Sequence, residues 1–193
     1  VDKRDQPPRG SGQAYAGAAI YRRVSGDGGA SFGSDQKLAD HSCECCRIAL
    51  APGPDGHLRA MWRHVFGEQT RDHAFASLGV DEPNRIERAS YDDWQIQACP
   101  HHGPGLAAAE QGYHAVWFGI RKQGGKDEAA VRYARLDAAG KPLTDTVRAL
   151  PDARAEHADV LAFGSRVAVV WRVTEGTTTT LRLWASRDGG RNF

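Results

Sequence analysis

All four cysteines of the chain fall in two short segments that also carry three of its histidines: His41-Ser42-Cys43-Glu44-Cys45-Cys46 and Cys99-Pro100-His101-His102. Thiolate and imidazole are both ligands of zinc. Thiolate also favours copper(I), and imidazole accepts copper in either oxidation state. The same four cysteines form an even set, so two disulfides are an alternative: Cys43 or Cys45 bridged to Cys99, or a strained vicinal Cys45-Cys46 bond. A third arrangement combines one disulfide with a Cys/His metal site. The spacing C-x-C-C is not that of a zinc finger, and no C-x-x-C-H sequence is present to attach a haem.

For these groups to act together, the chain must bring residues more than fifty positions apart to one place. A repeat supplies the means. Three segments share a small-apolar strand, a turn, and a second strand that ends in tryptophan: Arg47 to Ala51 leading to Trp62, Gly105 to Ala107 leading to Trp117, and Val160 to Ala162 leading to Trp171. The tryptophans are spaced by 55 and 54 residues, a period in the range of propeller blades. Further short β-rich runs (residues 18–24, 129–136 and 177–185) and turns such as Pro52-Gly53-Pro54-Asp55-Gly56 indicate antiparallel β structure throughout.

The expected fold is therefore all-β, a β-propeller of four-stranded antiparallel blades. Residues 1–12, polar and containing Pro7-Pro8, read as a linker or ragged start. Residues 13–193 read as one domain, with 13–40 the outer part of a blade, 41–98 and 99–155 two blades, and 156–193 the inner part of another. Some three and a half blades would not close a ring, so a longer and six-bladed parent, or closure by self-association, is expected. The repeat tryptophans are assigned to the core between blades.

Aligning the inner strands on Leu50, Leu106 and Leu161 places Cys46, His102 and His157 in one slot, four residues before each leucine. One position earlier it stacks Cys45, His101 and Glu156, and it pairs Cys43 with Cys99. Innermost strands surround the axial channel, so Cys46, His102 and His157 are expected to face one space, with Cys43, Cys45, Cys99, His101 and His41 as further ligands or disulfide partners. The histidines have a plainer reading as hydrogen-bonding groups of a polar channel. His101-His102-Gly103-Pro104-Gly105 also reads as a tight turn, and Arg71-Asp72-His73 and Asp92-Asp93-Trp94 as solvated loops.

Two copies of a turn motif bracket the repeats, Ser25-Gly26-Asp27-Gly28-Gly29-Ala30-Ser31-Phe32 and Ser186-Arg187-Asp188-Gly189-Gly190-Arg191-Asn192-Phe193. Serine and aspartate can bond backbone amides a few residues on, the glycines accept positive φ, and the aromatic pins the hairpin to an apolar layer. The octets resemble the Asp box, Ser-x-Asp-x-Gly-x-Thr-Trp, of the sialidase-like (BNR repeat) β-propellers. Serine or asparagine stands for the threonine and phenylalanine for the tryptophan, with Ser25, Asp27, Gly29 and Phe32 matched by Ser186, Asp188, Gly190 and Phe193. In that family the Asp boxes serve the fold and lie away from the active site.

The resemblance implies an exported protein, periplasmic or extracellular, and raises exo-sialidase activity as an alternative. Catalytic sialidases clamp the substrate carboxylate with three arginines, the first in an Arg-Ile-Pro motif. This chain has none; Arg47-Ile48-Ala49 and Arg85-Ile86-Glu87 come nearest, and no catalytic residue is carried over, Arg63, Arg121 and Arg172 included. The expectation is a non-hydrolytic propeller that binds copper, zinc, or a small-molecule or glycan ligand at the Cys/His cluster, with a protein-interaction scaffold as a further alternative. A net charge of +1 without a basic block gives no nucleic-acid footprint, and no apolar run approaches a membrane span.

Overall fold

A computed structural model describes residues 18–67, 69–79 and 85–193, so the expected linker at 1–12 lies outside the described residues. The described chain is all-β. It forms four antiparallel sheets, each built from a contiguous stretch of sequence. Strands β1 (Ala18–Arg22) and β2 (Gln36–Ser42) form the first. The second holds β3 (Ala49–Pro52), β4 (Leu58–Arg63), β5 (His73–Ser77) and β6 (Glu87–Arg88) in sequential order. The third repeats that meander with β7 (Gly105–Ala109), β8 (Gly112–Gln123), β9 (Lys126–Leu136) and β10 (Arg148–Ala149). β11 (Ala155–Phe163), β12 (Arg166–Glu175) and β13 (Thr178–Ser186) make the fourth.

Alternation along the second strand of each meander decides how the sheets stack, because successive side chains point to opposite faces. Ala60 and Trp62 join Ile20, Leu38 and Ala39 in a core between the first two sheets. Met61 points the other way, into a core with Phe75, Leu106, Tyr113, Ala115 and Trp117 between the second and third. Val116 then packs with Val131, Val160, Val169 and Trp171 between the third and fourth. Each repeat tryptophan thus faces the preceding sheet.

Two of these tryptophans are also anchored by hydrogen bonds. The Trp117 indole donates to Asp92 Oδ2 at 2.7 Å and the Trp171 indole to Asp152 Oδ2 at 2.7 Å. The residue opposite each tryptophan on the next strand is an arginine, Arg132 or Arg182, and it pairs with the same aspartate. Trp–Asp–Arg is therefore a repeated clasp between adjacent sheets. Its aspartates stand after the last strand of one sheet, and its other two members on the next.

Burial corrects the expectation for two loops. Arg71, Asp72 and His73 are all buried, as is Asp92, whereas Asp93 is exposed. Asp72 pairs with Arg88, and His73 Nδ1 shares a 3.0 Å hydrogen bond with Ser90 Oγ. Such partners offset the cost of burying polar groups, and none adjoins its partner in sequence.

Candidate metal centre

The strands β3, β7 and β11 begin at the same end of their sheets, and their leading ends are tied together by Arg47. Its Nε donates to the Pro104 carbonyl at 3.0 Å, its Nη2 donates to the Ala158 carbonyl, and it lies 3.6 Å from the Asp159 carboxylate. Gly103 has no room for a side chain, since a Cβ there would overlap Arg47. The turn before β7 is thus pressed onto the one before β3.

This approach brings the four sulfurs together. Cys45 and Cys99 form a disulfide that joins the loops preceding β3 and β7. Cys43 and Cys46 are free thiols, both buried, with their sulfurs 3.2 Å apart. Cys43 Sγ is also 3.6 Å from Cys45 Sγ and 3.6 Å from Cys99 Sγ, and Cys45 Sγ is 3.9 Å from Cys46 Sγ. The sequence leaves the pairing open; the structure selects one disulfide, Cys45–Cys99, with two thiols beside it.

Two buried arginines flank the sulfurs, and sequence reasoning placed neither of them there. Arg63, 1 % exposed, interacts with Cys46 and donates to the carbonyls of Arg71 at 2.5 Å, His102 at 3.1 Å and Phe118 at 2.6 Å. Arg71, also 1 % exposed, donates to the Ile96 carbonyl at 3.2 Å and lies within electrostatic reach of Cys43. Cys43 is held below the ordinary thiol range, chiefly by a hydrogen bond from Cys46 and with help from both guanidinium groups. Cys46 is pushed up because it keeps the shared proton and is buried. The signal that could have revealed Arg63 is its place next to Trp62 on β4, where it must face the side opposite the tryptophan.

The histidines form separate groups. His102 and His157 stack with ring centroids 4.9 Å apart, and the other face of His102 stacks on Phe118 at 4.3 Å. Burial, then His157 and Arg63, push the His102 imidazole down to about 4. His41 sits edge-on to His64, with centroids 6.3 Å apart, and His101 is exposed. Among the described residues, the trio of potential donors whose atoms lie within 4.8 Å of one another is Cys43, Cys45 and Cys46. The structure thus brings His102 and His157 together and Cys46 to Cys43, with Arg63 linking the two groups through its contacts to Cys46 and the His102 carbonyl.

Pairing within the hairpins explains part of this. In the fourth sheet Val160 pairs with Val169, two residues before Trp171, in a register that runs unbroken from Asp159 to Phe163; β11 is irregular only further back, with a bulge between Glu156 and Asp159. Leu50 and Leu106 pair with Ala60 and Ala115, each two residues before its tryptophan. Val160, not Leu161, is therefore the structural counterpart of those leucines, and the slot of Cys46 and His102 falls on Glu156. Glu156 pairs with Arg172 at 2.5 Å, which holds its carboxyl below the usual range. His157 takes a positive φ of 48° at the bulge, and its ring lies against His102.

Compared with known proteins, the chain matches no family model, and no curated protein sequence matches it. Among the described residues, no helix is long and apolar enough to cross a membrane.

Proposed function

We propose that this chain belongs to an exported, non-hydrolytic, sialidase-like β-propeller that holds copper(I) between the Cys43 and Cys46 thiolates. The observation that carries this reading is a pair of buried thiols 3.2 Å apart beside two buried guanidinium groups. A buried cation needs a compensating charge, and two thiolates on a monovalent ion carry one net negative charge. Thiolate is the preferred donor for copper(I), whereas zinc takes four donors and the closed disulfide leaves two. His102 lies across Arg63, which donates to its carbonyl, and His157 stacks on His102.

The propeller reading draws support from sheets that follow one another in sequence and stack face to face through three successive cores. The outward face of the fourth sheet carries exposed Leu161, Phe163, Leu181 and Leu183, where a further sheet would stack. A disulfide supports an oxidising compartment.

The arginines speak for the non-hydrolytic reading. Arg63 is engaged by backbone carbonyls, Arg121 by Asp92 and Glu128, and Arg172 by Glu156, which takes them from a substrate carboxylate.

The test is an anaerobic copper(I) titration of the disulfide-intact protein against a chromophoric chelator, with elemental analysis of the same sample. One copper per chain is expected, and none in a Cys43→Ser/Cys46→Ser variant. Less than about a tenth of an equivalent after reconstitution removes the reading. A fluorogenic sialoside should remain intact; sugar release would favour the hydrolase.

A further inference from the structure

The disulfide divides the four sulfurs into a bonded pair and a thiol pair, yet Cys43, Cys45 and Cys46 lie 3.2, 3.6 and 3.9 Å from one another, and Cys99, bonded to Cys45, is 3.6 Å from Cys43. Zinc–thiolate bonds of about 2.3 Å put the sulfurs of a tetrahedral site about 3.8 Å apart. The three mutually close sulfurs already have edges near that value, and opening the Cys45–Cys99 bond frees Cys99 to take the fourth position. Exposure is divided in the same way: Cys43 and Cys46 are buried at 2 % and 5 %, while Cys45 and Cys99 are half-buried and can meet a reductant.

We infer that the Cys45–Cys99 disulfide gates which metal this centre takes: copper(I) on two thiolates while it is closed, and a tetrahedral divalent ion, zinc, on all four once it is opened. The inference rests on the reading of the cluster as a metal site. Opening requires a two-electron reductant, such as a dithiol. A dithiol gives two electrons and two protons to the Cys45–Cys99 bond, leaving two thiols here and its own sulfurs joined as a disulfide. Zinc then displaces the four thiol protons. The resulting tetrathiolate carries two net negative charges, matched in number by the buried guanidinium groups of Arg63 and Arg71. The loops preceding β3 and β7 remain joined in both states, first by sulfur and then by metal.

Cobalt(II) serves as the spectroscopic probe for zinc. The full chain is titrated with Co2+ under argon, once with the disulfide intact and once after reduction by a water-soluble phosphine and its removal. The reduced protein is expected to form a one-to-one complex with the intense visible bands of tetrahedral tetrathiolate cobalt, bleached by Zn2+. The oxidised protein should form none. A Cys99→Ser variant should lose the tetrathiolate spectrum while still binding copper(I).

Equal spectra in the two redox states, or no tetrathiolate spectrum after reduction, would overturn the gate. Copper(I) binding by the oxidised protein in the same experiment would show that the earlier reading survives that failure; its absence would show that both have failed. If circular dichroism shows that the metal-free reduced chain unfolds, reduction is repeated with Zn2+ present and read by native mass spectrometry. One retained zinc per chain is then expected, and a metal-free spectrum overturns the gate.

Discussion

The two ends of the sheets are held by different kinds of contact. At the end where β13 finishes, the Asp-box turn closes on itself: Asp188 accepts the Asn192 amide at 2.9 Å and Ser186 Oγ accepts the Gly190 amide at 3.0 Å. The first copy repeats the pattern, with Asp27 accepting the Ser31 amide at 2.9 Å and Ser25 Oγ the Gly29 amide at 2.8 Å. Every one of these bonds spans four residues. At the opposite end, where β3, β7 and β11 begin, the disulfide spans 54 residues and Arg47 reaches 111 residues to Ala158. The Asp-box end is specified by its own octet, whereas the sulfur end exists only when neighbouring sheets have stacked in register.

The largest expected effect comes from breaking a long-range contact that is fully buried. Arg132 is 0 % exposed and sits 3.3 Å from the Asp92 carboxylate that also receives the Trp117 indole. Replacing Arg132 by Met strips Asp92 of its buried counter-charge and should cost about 3–5 kcal/mol in urea denaturation. The Cys45→Ser/Cys99→Ser double variant should cost about 2–4 kcal/mol, measured the same way under oxidising conditions. Losses within about 0.5 kcal/mol would mean that stacking does not depend on these contacts.

Acid comes next and samples both ends. Burial pushes His64, at the sulfur end, and His114, at the Asp-box end, down to about 4, and His73 well below its ordinary value. Their folded pKa values lie below the unfolded value near 6.5, so between these values the unfolded chain binds more protons. Stability should be complete above pH 6.5 and fall as pH drops toward 4. A His73→Gln variant should show a shallower fall in pH-dependent melting, and a flat profile for the parent would contradict the burial of these rings.

The smallest effect separates the two Asp boxes. Phe193 packs against Tyr133 and Trp184 with centroids 5.0 Å from each, while Phe32 is 59 % exposed. Phe193→Ala should cost about 1–2 kcal/mol and Phe32→Ala less than about 0.5 kcal/mol. Equal costs would mean that the aromatic acts inside its own turn rather than by docking.

Contacts closed within a few residues are legible in the sequence. The octets, the Pro52-Gly53-Pro54-Asp55-Gly56 turn, with Gly56 at positive φ, and the spacing of Trp62, Trp117 and Trp171 all follow from local chemistry or a plain repeat. The convergence of the cysteines is legible as an alignment, but their pairing is not, because it depends on which loop each sulfur faces after the sheets stack. The hairpin register that makes Val160 rather than Leu161 the counterpart of Leu50 and Leu106, and the bulge between Glu156 and Asp159 further back along β11, are beyond an alignment made on leucines alone. Arg71, Asp72 and Asp92 read as solvated because their partners Ile96, Arg88 and Trp117 are distant in sequence.

X-ray absorption on the copper(I)-loaded, disulfide-intact protein tests the sulfur centre most directly. The account predicts copper bound by two sulfurs at thiolate distance, with that coordination abolished in the Cys43→Ser/Cys46→Ser variant. A copper bound by nitrogen alone, unchanged in that variant and lost when His102 and His157 are replaced by alanine, would move the site to the imidazoles and contradict it.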